Sequence, residues 1–181
     1  MTHFTRRGLV LGAAALAACD NSPGAQGADV IDNRVRNALD HMYATYPETL
    51  QLRDKSVGKL VMPMVGKAGF IVGGSYGEGA LLIDDVTVDY YSATQGSVGF
   101  QIGAQQYAYV IFFLTPTALR EFRTSPGWSG GASAEITGGQ DGAGLMASTA
   151  AQNSAVAFLF ARQGLMAGAT IEGTKYTRIL R

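Results

Sequence analysis

The chain has 181 residues, 47% of them apolar, with 14 basic side chains, 14 acidic ones and a single cysteine. That length allows one domain of roughly 150 residues with a real core; the apolar content excludes a disordered chain, and one cysteine excludes an internal disulfide framework. Residues 1–18 contain Arg6 and Arg7 and no acid, so the remainder holds 12 basic and 14 acidic residues, which excludes the basic footprint of wholesale nucleic-acid binding.

Behind Arg6 and Arg7 lies an apolar run of 11 residues, 8–18, well short of the ~20 needed to cross a bilayer as a helix. Residues 1–18 therefore read as an export signal. Paired arginines before a mild Ala/Gly-rich run resemble a twin-arginine signal, and Leu16-Ala17-Ala18-Cys19 resembles a bacterial lipobox, in which Cys19 becomes the lipid-bearing first residue. Several acyl chains at ~0.8 kcal/mol per buried methylene make such an anchor effectively permanent. Residues 19–27 are polar and turn-rich, which predicts a lipidated tether; as a coil, nine residues give a mean reach of roughly 16 Å. Asp20 resembles the signal that retains enteric lipoproteins in the inner membrane, so the expected location is the bacterial cell envelope, facing the periplasm.

Residues 28–181 read as one folded domain. Over 28–46 there is no glycine or proline, and Ile31, Val35, Ala38, Leu39, Met42 and Tyr46 recur at helical spacing. The polar face mixes Arg34 and Arg36 with Asp29, Asp32 and Asp40, not the basic face that anionic lipid favours, so packing on a core is expected for this helix. Pro47 ends it and opens a short helix carrying Leu50 and Leu52. Twenty of the 24 glycines lie in 58–181. There, residues 60–65 predict a strand with Pro63 at an edge or bulge, Asp84-Asp85 a turn, and 87–92 a strand pairing back. Residues 107–114 carry no charge and predict a strand buried on both faces. Thr115-Pro116 predicts a short helix capped by Thr115, with Leu119 and Phe122 inward, stopped at Ser125-Pro126-Gly127. Residues 136–146, 156–160 and 170–180 supply further strands. The fold class is α+β: a glycine-rich, strongly curved antiparallel sheet approaching a barrel, with N-terminal helices and one short internal helix.

The stretch 67–82, with glycine at 69, 73, 74, 77 and 79, together with Tyr90-Tyr91-Ser92, 99–105, 156–160 and Gly164-Leu165-Met166, resembles the SYLF (Ysc84-like) lipid-binding domain family over about 28–181. The resemblance implies phospholipid binding. Eukaryotic members bind phosphoinositides and some bind actin; neither partner is expected for a bacterial envelope protein without an attached SH3 domain.

Catalysis finds little support. Ser75 and Ser129 each sit in a Gly-x-Ser-x-Gly pattern, but such an elbow needs a strand-to-helix turn and a later histidine base, and the chain offers only His3 and His41. Gly74-Ser-Tyr-Gly-Glu-Gly79 has the dinucleotide spacing reversed, and no phosphate-loop lysine motif occurs. No metal or cofactor is expected, and no catalytic residue is assigned; Glu78, within the glycine-rich stretch, reads as a strand residue. Two segments offer local positive charge to an anionic phospholipid membrane: Arg53, Lys55, Lys59 and Lys67 against Asp54, and Arg162, Lys175, Arg178 and Arg181 against Glu172. Lys55, Lys59, Lys67, Lys175 and Arg178 are the candidate lipid contacts. The competing reading is a structural envelope lipoprotein that binds a protein partner through an apolar surface or a sheet edge; a lipid hydrolase ranks below both.

Overall fold

The computed structural model describes residues 23–69, 72–98, 103–125, 135–137, 154–160 and 173–181. Arg6, Arg7, Cys19, Ser129 and Arg162 lie outside them. Helix α1 spans Pro23–Thr45, a 3-10 turn Pro47–Thr49, and helix α2 Leu50–Lys55. Strands β1 (Gly58–Gly69), β2 (Val72–Ile83), β3 (Val86–Val98) and β4 (Gly103–Phe113) follow, then α3 (Pro116–Thr124), β5 (Glu135–Thr137), β6 (Ala155–Phe160) and β7 (Lys175–Ile179). All strands join one sheet in the order β5-β6-β4-β1-β2-β3-β7. Every pairing is antiparallel except β5 with β6, which is parallel.

The fold is thus α+β as expected, with two differences. Among the described residues the sheet is open, with β5 and β7 at its edges, and it does not close into a barrel. Helix α1 starts at Pro23, so residues 23–27, read from composition as tether, are helical. Proline is tolerated in a first helical turn because its missing N–H has no acceptor to lose there.

The first helix buries the face its spacing predicted. Ile31, Val35, Ala38, Leu39 and Met42 pack with Leu52 of α2 onto Val61, Ala80, Leu82, Val110, Phe112, Phe158 and Phe160. Burying side chains of this size contributes about 1.5–3 kcal/mol each, which is why α1 is a core element. Asp32 fixes its register: the carboxylate accepts from Thr87 Oγ1 at 3.0 Å and from Tyr90 Oη at 2.9 Å. Burial, then the bond to Asp32, pushes the Tyr90 hydroxyl up to about 12.

The opposite face carries an aromatic core of Tyr91, Tyr107, Tyr109, Phe113 and Tyr176, into which α3 inserts Phe122. Ring centroids of Tyr91, Phe113 and Tyr176 lie 4.8, 5.0 and 5.9 Å from that of Phe122. Thr115 caps α3 as predicted, its Oγ1 accepting from the Ala118 amide at 3.2 Å.

β1, in the middle of the sheet, contains the bulge that Pro63 signalled. Val61 faces Ala80 and Val65 faces Gly77, so three residues of β1 oppose two of β2; towards β4, Met62 faces Tyr109 and Val65 faces Tyr107. Proline has no N–H for the ladder, and the bulge absorbs it. Gly79 makes room: a Cβ there would sit 2.0 Å from the Val61 carbonyl oxygen. At the β2–β3 turn Asp84 and Asp85 have φ of 50° and 62°, and Ile83 pairs with Val86, the geometry of a two-residue turn whose twist matches the strands.

Candidate functional site

The two basic segments meet different fates. In the first, Arg53 pairs with Asp54 at 2.9 Å and lies 5.6 Å from the centre of the Tyr43 ring, while Lys59 is buried and ion-paired with Asp85. A polar hollow of about 260 Å³ here is lined by Arg53, Lys59, Asp54, Asp84 and Asp85, so carboxylates outnumber cations. Lys55 is exposed at the end of α2 and is not among its lining residues. Lys67 is buried at the far end of β1. The bulge also separates it from Lys59 by face: Lys59 pairs with Leu82 and Phe112 on the α1 side, whereas Val65, and Lys67 two residues on, belong to the aromatic side. These four residues do not form one patch.

In the second segment Lys175 and Arg178 do come together, while Arg181 is ion-paired with Glu78. Lys175 begins β7 and Arg178 lies within it; regular alternation puts them on opposite faces, as the sequence implied. Because β7 is an edge strand, both still line a cleft of about 430 Å³ between β7, β3 and the end of α3. Its floor is aromatic, from Tyr91, Phe122 and Tyr176, and its rim is Arg123, Thr124, Ser125, Lys175, Thr177 and Arg178. Beneath the rim the Asp89 carboxylate, 3% exposed, accepts from Arg123 at 3.2 Å and from Arg178 at 2.5 Å. One carboxylate therefore orients two guanidinium groups and leaves the cleft with a surplus of positive charge. Burial first, then the Asp89 charge, raises Tyr91 above its ordinary range, and burial raises Tyr176, so both floor hydroxyls stay neutral across physiological pH. A rim of fixed cations over a neutral aromatic floor suits an anionic headgroup with apolar substituents.

Sequence reasoning missed Asp89 and Arg123. The signal was there for Asp89: it precedes inward-facing Tyr91 and Ala93 by even numbers of residues, so alternation buries a carboxylate, and a buried carboxylate needs cationic partners. Arg123 gave no such sign, since α3 faces two ways and only the fold brings its last turn to β7.

This cleft falls in the part of the chain that a family comparison recognises. Residues 94–178 match the Ysc84 family model. Its description is Las17-binding protein actin regulator, and the match covers somewhat less than half of the chain. No curated protein matches the chain. The Ysc84 match runs from the end of β3 through α3 to β7 and includes every residue lining the cleft except Tyr91. The SYLF resemblance read from the sequence is met over this span; the glycine-rich stretch 67–82 and Tyr90-Tyr91-Ser92 lie upstream of the match.

The remaining singled-out side chains have structural partners. Ser75 lies within β2, not on a strand-to-helix turn, and donates to Gln95 Oε1 at 3.4 Å. Glu78 accepts from Tyr76 Oη at 2.6 Å and is ion-paired with Arg181. His41 sits half-buried on α1, its ring 6.3 Å from that of Phe160. Among the described residues no helix is long and apolar enough to cross a membrane.

Proposed function

We propose that this protein is a non-catalytic envelope lipoprotein, exported through Arg6 and Arg7 and anchored at Cys19, whose Ysc84 domain binds anionic phospholipid in the cleft between α3 and β7. The observation that carries the reading is the grouping of Arg123, Lys175 and Arg178 over Tyr91, Phe122 and Tyr176, inside the segment matched by the family. Lys175 and Arg178 stay in this role from the sequence-based set. Lys59, paired with Asp85, leaves it, and neither Lys55 nor Lys67 is grouped with the cleft. Asp20 favours the inner membrane over the outer one for the anchor.

Near an anionic bilayer each basic side chain contributes up to about 1 kcal/mol, so three rim cations give a modest, salt-sensitive affinity. The test is co-sedimentation of residues 20–181, which lack Cys19, with vesicles of phosphatidylglycerol and phosphatidylethanolamine against vesicles of phosphatidylcholine. Binding to the anionic vesicles that weakens as salt rises, and weakens several-fold in the Arg123→Gln/Lys175→Gln/Arg178→Gln variant, is expected. No binding at low salt removes this reading and puts a protein partner for the same cleft in front.

A further inference from the structure

The start of α1 changes what the anchor does. If residues 19–27 were coil, the domain would tumble at the end of a nine-residue leash. With α1 beginning at Pro23, only residues 20–22 separate Cys19 from a helix packed into the core. At no more than ~3.6 Å per residue, Cys19 lies within roughly 14 Å of Pro23, and Pro23 lies about 6 Å along the helix from Gly27.

Gly27 marks where that helix end sits. A Cβ on Gly27 would be 3.1 Å from Arg181 Cδ, so the helix backbone rests against the side chain two positions beyond the last residue of β7. Arg181 is itself tied to Glu78 of β2, which fixes this contact on the sheet. The tether therefore leaves the domain from the α1 side of the sheet, next to the Arg181–Glu78 pair that follows the C-terminal end of β7. The cations Lys175 and Arg178 belong to this same strand, and Arg123 joins Arg178 through Asp89.

We propose that the β7 edge is the membrane-facing surface of this protein: the short tether holds that edge against the bilayer that carries the lipid anchor, and the cleft engages anionic headgroups of that same leaflet. The inference rests on the lipoprotein reading and deepens it from a lipid-binding domain to an oriented one. Charge complementarity favours this edge, since Asp89 pairs with Arg123 and Arg178 there and Lys175 adds a third cation, whereas the hollow beside the Asp84-Asp85 turn is predominantly acidic. Chain length supplies the rest: Cys19 lies within roughly 14 Å of Pro23, near the end of β7, whereas β6 is five strands away in the order of the sheet.

The test uses the full lipidated chain reconstituted in vesicles of phosphatidylglycerol and phosphatidylethanolamine. An environment-sensitive fluorophore is placed on a cysteine introduced at Thr177→Cys or Thr124→Cys beside the cleft, or at Ser154→Cys beside β6; the thioether at Cys19 does not compete for the label. Lipids carrying a quencher on the headgroup should quench the first two probes at least threefold more than the third. In the Arg123→Gln/Lys175→Gln/Arg178→Gln background the contrast should shrink while the protein stays membrane-bound. Equal quenching at all three positions, or stronger quenching at Ser154→Cys, overturns the orientation while leaving vesicle binding by residues 20–181 intact. Absence of fatty-acid labelling at Cys19 overturns it together with the anchor, a separate and separately visible failure.

Discussion

Tyr109 of β4 donates a hydrogen bond to the hydroxyl of Tyr176 of β7 at 2.9 Å, although β1, β2 and β3 lie between their strands. Four strand spacings amount to about 19 Å on a flat sheet, more than two tyrosine side chains span. Their ring centroids are 6.5 Å apart, so the sheet curls towards this face and the aromatic core lies in its hollow. Curvature explains how the nine residues of α3 suffice to plug that side: Phe122 touches rings from β3, β4 and β7 together. Tyr109→Phe removes the donor of a fully buried pair and should destabilise the protein by about 1–2 kcal/mol in urea denaturation. A double-mutant cycle with Tyr176→Phe should return a coupling of roughly 1 kcal/mol; additive effects would mean the two hydroxyls do not act as a pair.

Glycine is required at only some of its positions in this sheet. Gly79→Ala would drive a methyl into the Val61 carbonyl oxygen and Met62, and Gly77→Ala into Val65, at 2.0 and 2.7 Å respectively. Each should cost roughly 3 kcal/mol, lowering the melting temperature by about 6–12 °C. Gly66→Ala and Gly96→Ala meet nothing within 4 Å and should be neutral or stabilising by up to about 1 kcal/mol. Thermal scans of the four variants check the division; a destabilised Gly96→Ala would contradict it.

Asp89 should restrain the cleft it supports. Asp89→Asn keeps the shape and removes the charge that neutralises Arg123 and Arg178. Stability should fall by about 1–3 kcal/mol, because a charge-assisted pair is lost, while affinity for anionic vesicles should rise. Tighter binding by a less stable protein separates this effect from simple loss of fold; weaker binding at full folding would show that Asp89 positions the arginines more than it competes for them.

Alkaline pH should loosen α1. The Tyr90 hydroxyl, raised to about 12 against an ordinary value of 10.0, keeps its proton in the folded state after the unfolded chain has lost it. Its contribution to stability is therefore complete below pH 10 and is lost as pH rises from about 10 to about 12. Asp32→Asn removes the carboxylate that holds the proton in place, so a tyrosinate absorbance titration should show this residue ionising earlier than in the parent protein.

On the proposed export and anchoring, Arg6→Lys with Arg7→Lys should leave unprocessed chain inside the cell, and Cys19→Ser should abolish fatty-acid labelling and release the protein from the membrane fraction. Immunoblots of fractionated cells read both; normal processing of the double lysine variant would point to the general secretory route.

Much of the fold was legible because its signals are local. The α1 stripe, the Thr115 cap, Pro63 at a bulge and the uncharged 107–113 run each declare themselves within a few residues. The openness of the sheet was not legible, because strand order depends on pairings between distant segments such as Tyr91 with Arg178. For the site, alternation separated Lys175 from Arg178 correctly, yet only the edge position of β7 shows that opposite faces still share a cleft. Counting charges along 53–67 misled for a related reason: folding supplied Lys59 with Asp85, a partner 26 residues away.

The bulge in β1 bears on how this protein tolerates change over generations. Substitutions that let β1 pair without the bulge, its length unchanged, would restore strict alternation and invert one side of the strand. Either Lys59 and Val61 would exchange faces with Leu60 and Met62, setting a lysine among the aromatic rings, or Val65 would give way to Gly66 and leave a void at the centre of the hollow. Deleting one residue together with the bulge would instead keep both faces and the register with β2 and β4, so in a lineage of such chains loss of this bulge should go with loss of one residue.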